Sequence, residues 1–215
     1  MPITLLGAAR AALVAAAALS VTACTMFESD RPMFDPSVGA PVYGAAPALV
    51  RWTVNAPDAD PKTIRLDATF ANGEYVMLAR GKDKAQWRES LHSTPAPEAP
   101  AGSSGTWYVQ QIAYADDPEP TDVTYYYDLV RADGTKLFAY QFRCTDLTEE
   151  ERAAFDMTPP PPPPSADGTP GTPSAACIVR SPESVGKAFA LLATRIAPRA
   201  EGVVKPKAKG WFSRR

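Results

Sequence analysis

The chain is poor in the residues that carry most enzyme chemistry. Its 215 residues include one histidine, His92, and three cysteines. The sequence has no Gly-x-Ser-x-Gly elbow, no glycine-rich phosphate loop and no histidine pair for zinc, which excludes the common enzymes built on those motifs. Aspartate and glutamate carry no local signature, so a hydrolase that uses two carboxylates stays open. We expect no metal site and no other cofactor.

Two further absences limit the partners. No apolar run reaches the roughly 20 residues that a membrane-spanning helix requires. The 22 basic and 24 acidic residues leave a net charge of −2, so there is no basic excess to attract nucleic acid. We therefore expect no nucleic-acid partner.

The start of the chain has the pattern of an export signal. Arg10 precedes a short apolar run, residues 11–19, and small residues follow it. Residues 21–24, Val-Thr-Ala-Cys, resemble the lipobox of bacterial lipoproteins. The resemblance implies that residues 1–23 are a signal peptide and that Cys24 is lipidated. Two or three acyl chains would then hold the protein durably on a membrane.

The residue after Cys24 bears on which membrane carries the protein. By analogy with enterobacterial sorting, an aspartate at that position retains a lipoprotein in the inner membrane, whereas Thr25 favours the outer membrane. We expect a protein of the cell envelope that faces the periplasm. An ordinary signal peptide with an incidental cysteine is the alternative.

Cys144 and Cys177 are the two cysteines that follow. In an oxidising compartment an isolated pair of this kind is expected to form a disulfide. Closing a loop of this length would stabilise the fold by roughly 3 to 4 kcal/mol. Two free buried thiols are the alternative.

Clusters of proline divide the rest of the chain. Residues 24–47 have no sustained period and are interpreted as a flexible tether with a reach of roughly 25 Å. Residues 48–198 are expected to form a single α+β domain, interrupted by a proline-rich loop at 158–174. Residues 199–215 are interpreted as a basic disordered tail.

Strand patterns dominate the domain. Residues 63–70 alternate strictly between apolar and polar, and the following Asn72-Gly73 pair is a strong hairpin signal. Residues 107–115, 123–130 and 136–143 are rich in β-branched and aromatic residues, which predicts a three-strand meander. We expect an antiparallel sheet of about six strands.

Two helices are also predicted. Thr148 and Glu151 form a capping box at the start of a short helix. Ser181 and Pro182 have the residue types of a cap and first turn, and the helix is expected to reach about Ala197. Its apolar stripe should pack on one face of the sheet, and it consists of Val185, Phe189, Leu192 and Ile196.

Tyrosines on the meander are candidates for a binding surface. In the run of residues 125–127 successive side chains must point to opposite faces, so Tyr126 can leave the core. Together with Tyr108 and Tyr140 it would suit a sugar or a peptide on an open sheet face. The alternative, which we favour, is that these rings stabilise the sheet as cross-strand pairs or under the last helix.

The C-terminal segment is a second candidate surface. It combines positive charge with aromatic rings, a composition that suits an anionic lipid or glycan surface, while a solvated tail is the alternative. The residues concerned are Lys205, Lys207, Lys209, Trp211, Arg214 and Arg215.

These features favour a membrane-anchored envelope lipoprotein that acts as a binding, accessory or structural module without catalysis. An envelope protein or glycan would be its partner. A periplasmic hydrolase that uses carboxylates is the main alternative, and an inhibitor of a lysozyme-type enzyme is another.

Overall fold

A computed structural model of the chain describes residues 27–56, 59–80, 86–94, 104–114, 123–158 and 176–206. These residues are mainly in β-strands, and the helices are α1 (Glu149–Ala154), little more than one turn, and α2 (Pro182–Ala193). The strands are β1 (Phe27–Ser29), β2 (Ala48–Ala56), β3 (Ala59–Ala71), β4 (Glu74–Ala79), β5 (Gln86–Ser93), β6 (Thr106–Tyr114), β7 (Thr124–Asp133), β8 (Lys136–Tyr140), β9 (Cys177–Ile178) and β10 (Ala200–Pro206).

Eight strands form a closed antiparallel barrel. Strands β2 to β8 pair in succession, and β10 closes the ring by pairing with both β8 and β2. Strands β1 and β9 are additions, since β1 pairs with the first part of β7 and β9 pairs with β1. The predicted α+β sheet of about six strands with a helix on one face is therefore wrong. Alternation of period two is the same in an open sheet and in a barrel, so the pattern that predicted strands could not reveal closure.

Tight turns join neighbouring strands of the barrel, and the first of them is the turn that Asn72-Gly73 predicted. Asn72 and Gly73 both have positive φ, 53° and 82°, and join β3 to β4. Gly134, with φ of 59°, lies in the turn from β7 to β8. A Cβ at Gly73 would lie 2.1 Å from the Pro36 carbonyl oxygen, so this turn also needs glycine for the close approach of the N-terminal segment.

The barrel interior is a core of alternate residues from all eight strands. On β3 the inward residues are Ile64, Leu66, Ala68 and Phe70, as the alternation predicted. Gly202 of β10 lies opposite Trp52 of β2, and the indole fills the space that a side chain at Gly202 would take. The fully or nearly buried members from other strands include Val50, Tyr75, Met77, Trp87, Leu91, Ile112, Val130, Leu137 and Ala200.

A second core lies on the outside of the barrel, beneath α2. Ser181 caps this helix and Pro182 begins it, as predicted, although it ends at Ala193 rather than near Ala197. Phe189 packs against Phe27 and Phe142, with ring centroids 5.2 Å apart in both pairs. The predicted stripe is therefore buried, with Val185, Phe189 and Leu192 inaccessible and Ile196 partly buried.

Two predicted features of the segments that pack outside the barrel are confirmed. Thr148 and Glu151 form the capping box of α1, each side chain accepting a hydrogen bond from the other's backbone nitrogen. Cys144 and Cys177 form a disulfide with their α-carbons 5.1 Å apart. The disulfide ties the segment after β8 to β9.

Residues 27–47, which we interpreted as most of a flexible tether, instead pack on the barrel. Phe27 is fully buried in β1, and Tyr43 is 2% exposed at one end of the barrel. Between them a short 3-10 turn at Pro36–Val38 passes the β3–β4 hairpin. Isolated buried rings among proline and glycine give no periodic signal, which is why the sequence suggested a tether.

The boundary at residue 199 is corrected as well, because Ala200–Pro206 is the barrel strand β10 and not part of a disordered tail. Residues 1–26, 159–175 and 207–215 lie outside the described residues, and with them the signal peptide, Cys24, nearly all of the proline-rich loop and most of the basic segment. None of the described helices has the length and apolar character needed to cross a membrane.

Candidate binding site inside the barrel

The structure separates the three tyrosines that the sequence grouped. Tyr108 and Tyr126 pack with the interior core. Tyr140 points to the outside, where it is 6% exposed and its ring lies 5.2 Å from that of Trp107. These rings therefore share no open sheet face, and the interpretation as core-stabilising aromatics fits their positions.

Polar side chains meet instead inside the barrel, on three neighbouring strands. The inward residues of β5, β6 and β7 include Glu89, Gln110 and Asp128, and Gln110 lies directly opposite Asp128 in the strand register. With Tyr43 they form what we call the inner polar cluster. The alternation of each strand brings these groups into an otherwise apolar interior.

Glu89 is held by two donors. Its Oε2 atom accepts hydrogen bonds from Trp87 Nε1 at 3.0 Å and from Gln110 Nε2 at 2.8 Å. The residue is only 2% exposed. Its other oxygen, Oε1, is buried and has no hydrogen-bond partner among the described residues.

Tyr43 closes one end of the barrel and directs its phenol toward this cluster. Its backbone nitrogen donates to the Tyr75 hydroxyl at 2.8 Å, and that hydroxyl donates to the Gly44 carbonyl at 3.0 Å. The two tyrosine rings pack with their centroids 4.7 Å apart. The Tyr43 hydroxyl is buried and faces Glu89 closely enough to act on its carboxyl group as a hydrogen-bond donor, although the contact is outside ordinary hydrogen-bond geometry.

Burial governs the ionisation of the cluster. It raises the pKa of Glu89 above its ordinary value, against the opposing effect of the donors from Trp87, Tyr43 and Gln110. It raises the pKa of Asp128 to about 7, an effect that the nearby Arg199 guanidinium reduces and the Glu89 carboxylate increases. Loss of hydration is the cause in both cases, since a charge is poorly stabilised in an apolar interior.

Three oxygen atoms of the cluster therefore share one property. The Tyr43 hydroxyl, Glu89 Oε1 and Asp128 Oδ1 are all buried and lack a hydrogen bond of ordinary geometry to the described residues, and the first two groups face each other. Buried polar atoms in folded proteins nearly always have a partner, and leaving one unpaired costs about 1 to 3 kcal/mol. The arrangement can accept hydrogen bonds from a donor group or stabilise a positive charge.

A second polar network lies outside the barrel wall, beneath the N-terminal segment, and stabilises the fold. Gln111 Oε1 accepts hydrogen bonds from the backbone nitrogens of Met33 and Phe34, at 2.9 and 3.1 Å. The Tyr127 hydroxyl lies 2.7 Å from Ser29 Oγ. His92, the lone histidine, bonds to Ser90 and stacks on Phe34 at 4.8 Å between centroids. These contacts fix the N-terminal segment on the barrel and leave the histidine in a structural position.

The remaining predicted surface residues are mostly outside the described residues. Lys205 is exposed on β10, opposite Leu49 in the register, whereas Lys207, Lys209, Trp211, Arg214 and Arg215 belong to the residues that are not described. The described ranges contain no group of three or more His, Cys, Asp or Glu side chains that could bind a metal ion.

Sequence reasoning missed the inner polar cluster, although one signal was present. Trp87, Glu89 and Leu91 are alternate residues, so an acid lies between two large apolar side chains on the same face of a strand. Recognising residues 86–93 as a strand would have placed Glu89 in the core. Tyr43 gave no comparable signal.

Comparisons with protein-family models, curated proteins and solved structures find no match to this chain.

Proposed function

We propose that this protein is a lipid-anchored module of the bacterial cell envelope that binds a ligand without catalysing a reaction. The lipobox-like residues 21–24 support the anchor, and the Cys144–Cys177 disulfide supports an oxidising compartment. The outer membrane, facing the periplasm, is the location that Thr25 favours. The ligand would be a small molecule that donates hydrogen bonds or a positive charge to the inner polar cluster, and its binding requires the core around Glu89 to open.

The single observation that carries this proposal is the buried set of oxygens on Tyr43, Glu89 and Asp128, which lack hydrogen bonds of ordinary geometry among the described residues. Eight-stranded barrels have an interior that is filled by side chains or holds one small ligand. Burying two carboxyl groups and a phenol in a core costs free energy, because each group loses its hydration. A donor group on a ligand would supply the missing hydrogen bonds.

Trp87 offers a built-in reporter for the test, because its indole donates to Glu89 Oε2. The full-length lipidated protein in detergent would be titrated with small organic ammonium ions and, separately, with neutral monosaccharides, while tryptophan emission is recorded. We expect a saturable change with at least one member of these sets. The Glu89→Gln variant should weaken that binding at least tenfold, which corresponds to about 1.4 kcal/mol.

Glu28→Gln is the matched control, since Glu28 is a half-buried glutamate on β1, outside the barrel. It should leave the affinity unchanged. If no tested compound changes the emission or the melting temperature, the cluster is a structural feature filled by solvent and the proposed binding site is wrong.

A carboxylate hydrolase is the second candidate, and one observation favours it. A pKa of about 7 at Asp128 suits a general acid or base at neutral pH. Against it, Glu89 is enclosed by Trp87, Gln110 and the core, which would keep a polymer substrate from reaching it. Release of reducing ends from peptidoglycan or polysaccharide, abolished in Asp128→Asn, would establish the hydrolase instead.

A further inference from the structure

The described part of the fold begins three residues after the proposed lipidation site. Phe27 is fully buried, pairs with Tyr127 and Cys177 in the strand registers, and contacts Phe189. Glu28, the next residue, accepts a backbone hydrogen bond from Val179 at 2.9 Å. The chain is therefore fixed to the barrel from residue 27 onward, by contacts with several separate elements.

Only Thr25 and Met26 separate Phe27 from Cys24. Three residues of chain span at most about 11 Å even when fully extended. The tether expected from the sequence would have had more than twice that reach. The lipid-bearing residue must consequently lie within about 11 Å of the Phe27 backbone, whatever conformation the intervening residues adopt.

We infer that the barrel rests directly on the bilayer, with the flank formed by Phe27–Ser29 and Cys177–Ile178 facing the lipid headgroups. This inference rests on the proposed lipidation of Cys24. We call this surface the β1–β9 flank; Phe27, Ser29 and Cys177 are buried within it, and Glu28 and Ile178 are its partly exposed residues. Its occupant is the headgroup layer of the membrane that holds the acyl chains.

The charges beside the flank agree with this orientation. Asp30, Arg31 and Arg180 are all exposed there and include both signs, and Arg180 also pairs with Asp156 at 3.9 Å. Headgroups that carry a phosphate and an ammonium group, such as those of phosphatidylethanolamine, offer a partner for each sign. Strand β3 lies four positions from β7 in the ring of eight strands, on the opposite side of the barrel. The outer surface of β3 is therefore turned away from the membrane and is available to soluble partners.

A quenching experiment tests the orientation on the full lipidated protein. Single cysteines replacing Asp30, next to the flank, and Lys62, exposed on β3, would carry the same fluorophore. Each labelled protein is placed in vesicles of phosphatidylethanolamine and phosphatidylglycerol that contain a quencher attached to the lipid headgroup. We expect at least threefold stronger quenching at position 30 than at position 62.

A matched variant removes the constraint and keeps the anchor. Inserting about 20 glycine and serine residues between Met26 and Phe27 gives a reach of roughly 25 Å, so the difference between the two positions should disappear. Both labelled proteins must melt cooperatively at the temperature of the unlabelled one.

Mass spectrometry of the same samples separates the possible failures. If Cys24 carries acyl chains and the two positions are quenched equally without the insertion, the orientation is wrong while the lipid anchor stands. If Cys24 carries no acyl chain, the anchor itself is refuted, and the orientation with it.

Discussion

The indole of Trp52 lies over Gly202 on the neighbouring strand, so closely that a Cβ atom on Gly202 would be 2.7 Å from Trp52 Cε3. The two residues are direct partners in the register that joins β10 to β2. Large and small residues are thus paired at the seam where the barrel closes. The fit fixes the last strand against the first strand of the barrel.

Gly202→Ala should destabilise the protein because the added methyl group cannot be accommodated without moving the Trp52 ring. Overpacking of this kind costs typically 1 to 3 kcal/mol, about the loss we expect in urea denaturation. Gly186→Ala is the control, since its Cβ would meet only Thr94 Oγ1 at an ordinary 3.7 Å in α2. Alanine favours the helix, so this variant should gain about 0.5 to 1 kcal/mol. Equal effects of the two substitutions would contradict the proposed fit.

Loss of the disulfide should lower stability through the unfolded chain. Cys144 and Cys177 are 33 residues apart in sequence, and a loop of this length predicts a loss of about 3 to 4 kcal/mol in a variant with serine at both positions. Urea denaturation with and without a reductant measures it. Reductant should destabilise the wild-type protein and leave the double variant unchanged, and sensitivity of the double variant would assign the effect to something else.

The contribution of Asp128 to the stability of the protein should fall as the pH rises from about 4 to about 7. Asp128 ordinarily titrates at 3.8, but burial raises its pKa to about 7 in the folded protein. Between these values the folded state retains a proton that the unfolded state has lost, so the free energy of unfolding decreases with pH and levels off above 7.

Asp128→Asn cannot titrate and should lack this component. The comparison needs the difference between the two proteins, because burial lowers the pKa of His92 and the resulting dependence has the opposite sign near pH 6. Urea denaturation at several pH values between 4 and 8 supplies it. If the stability difference between variant and wild type is the same at every pH, the protonation of Asp128 does not make the stability depend on pH.

Truncation distinguishes the last strand from the basic segment beyond it. A chain that stops after Pro206 keeps all of β10 and should unfold cooperatively, close to the melting temperature of the full chain. A chain that stops after Arg199 loses the strand between β8 and β2, which opens the barrel and exposes backbone groups on both edges. Thermal unfolding followed by circular dichroism should then show no cooperative transition. Cooperative unfolding of the shorter chain would show that closure is dispensable.

The shorter deletion also tests the proposed role of the basic segment. Removing residues 207–215 should weaken the association of a non-lipidated protein, with Cys24 replaced by serine, with anionic liposomes at low salt. Each basic side chain near such a surface contributes about 1 kcal/mol. Unchanged association would leave these residues without a membrane role.

Local signals predicted local structure well in this chain. The Asn72-Gly73 turn, the Thr148–Glu151 capping box and the Ser181 cap all depend on residues within a few positions of one another. The alternation of residues 63–70 correctly gave the inward face of β3. Alternation at Val50, Trp52 and Val54 would have predicted β2 in the same way, although we predicted only that the domain begins at residue 48.

Closure of the barrel depends on contacts between strands far apart in sequence, which no local pattern reveals. Strand β10 contains Gly202 and Pro206 and has the composition of a loop, and it becomes a strand because two partners with open edges lie on either side. The three residues of β1 are too short for any period. Tyr43 and Asp128 came together only through the closed barrel, which is why the candidate site could not be predicted from spacing.

The pairing of β2 with β10 has a consequence for biogenesis. A chain exported from its N-terminus delivers the first barrel strand early and the last strand at the very end. Until then every assembled part of the meander would keep two unpaired edges, which are prone to aggregation. Under the proposed export, closure of the barrel would therefore wait for β10 to emerge, and folding would be completed in one late step.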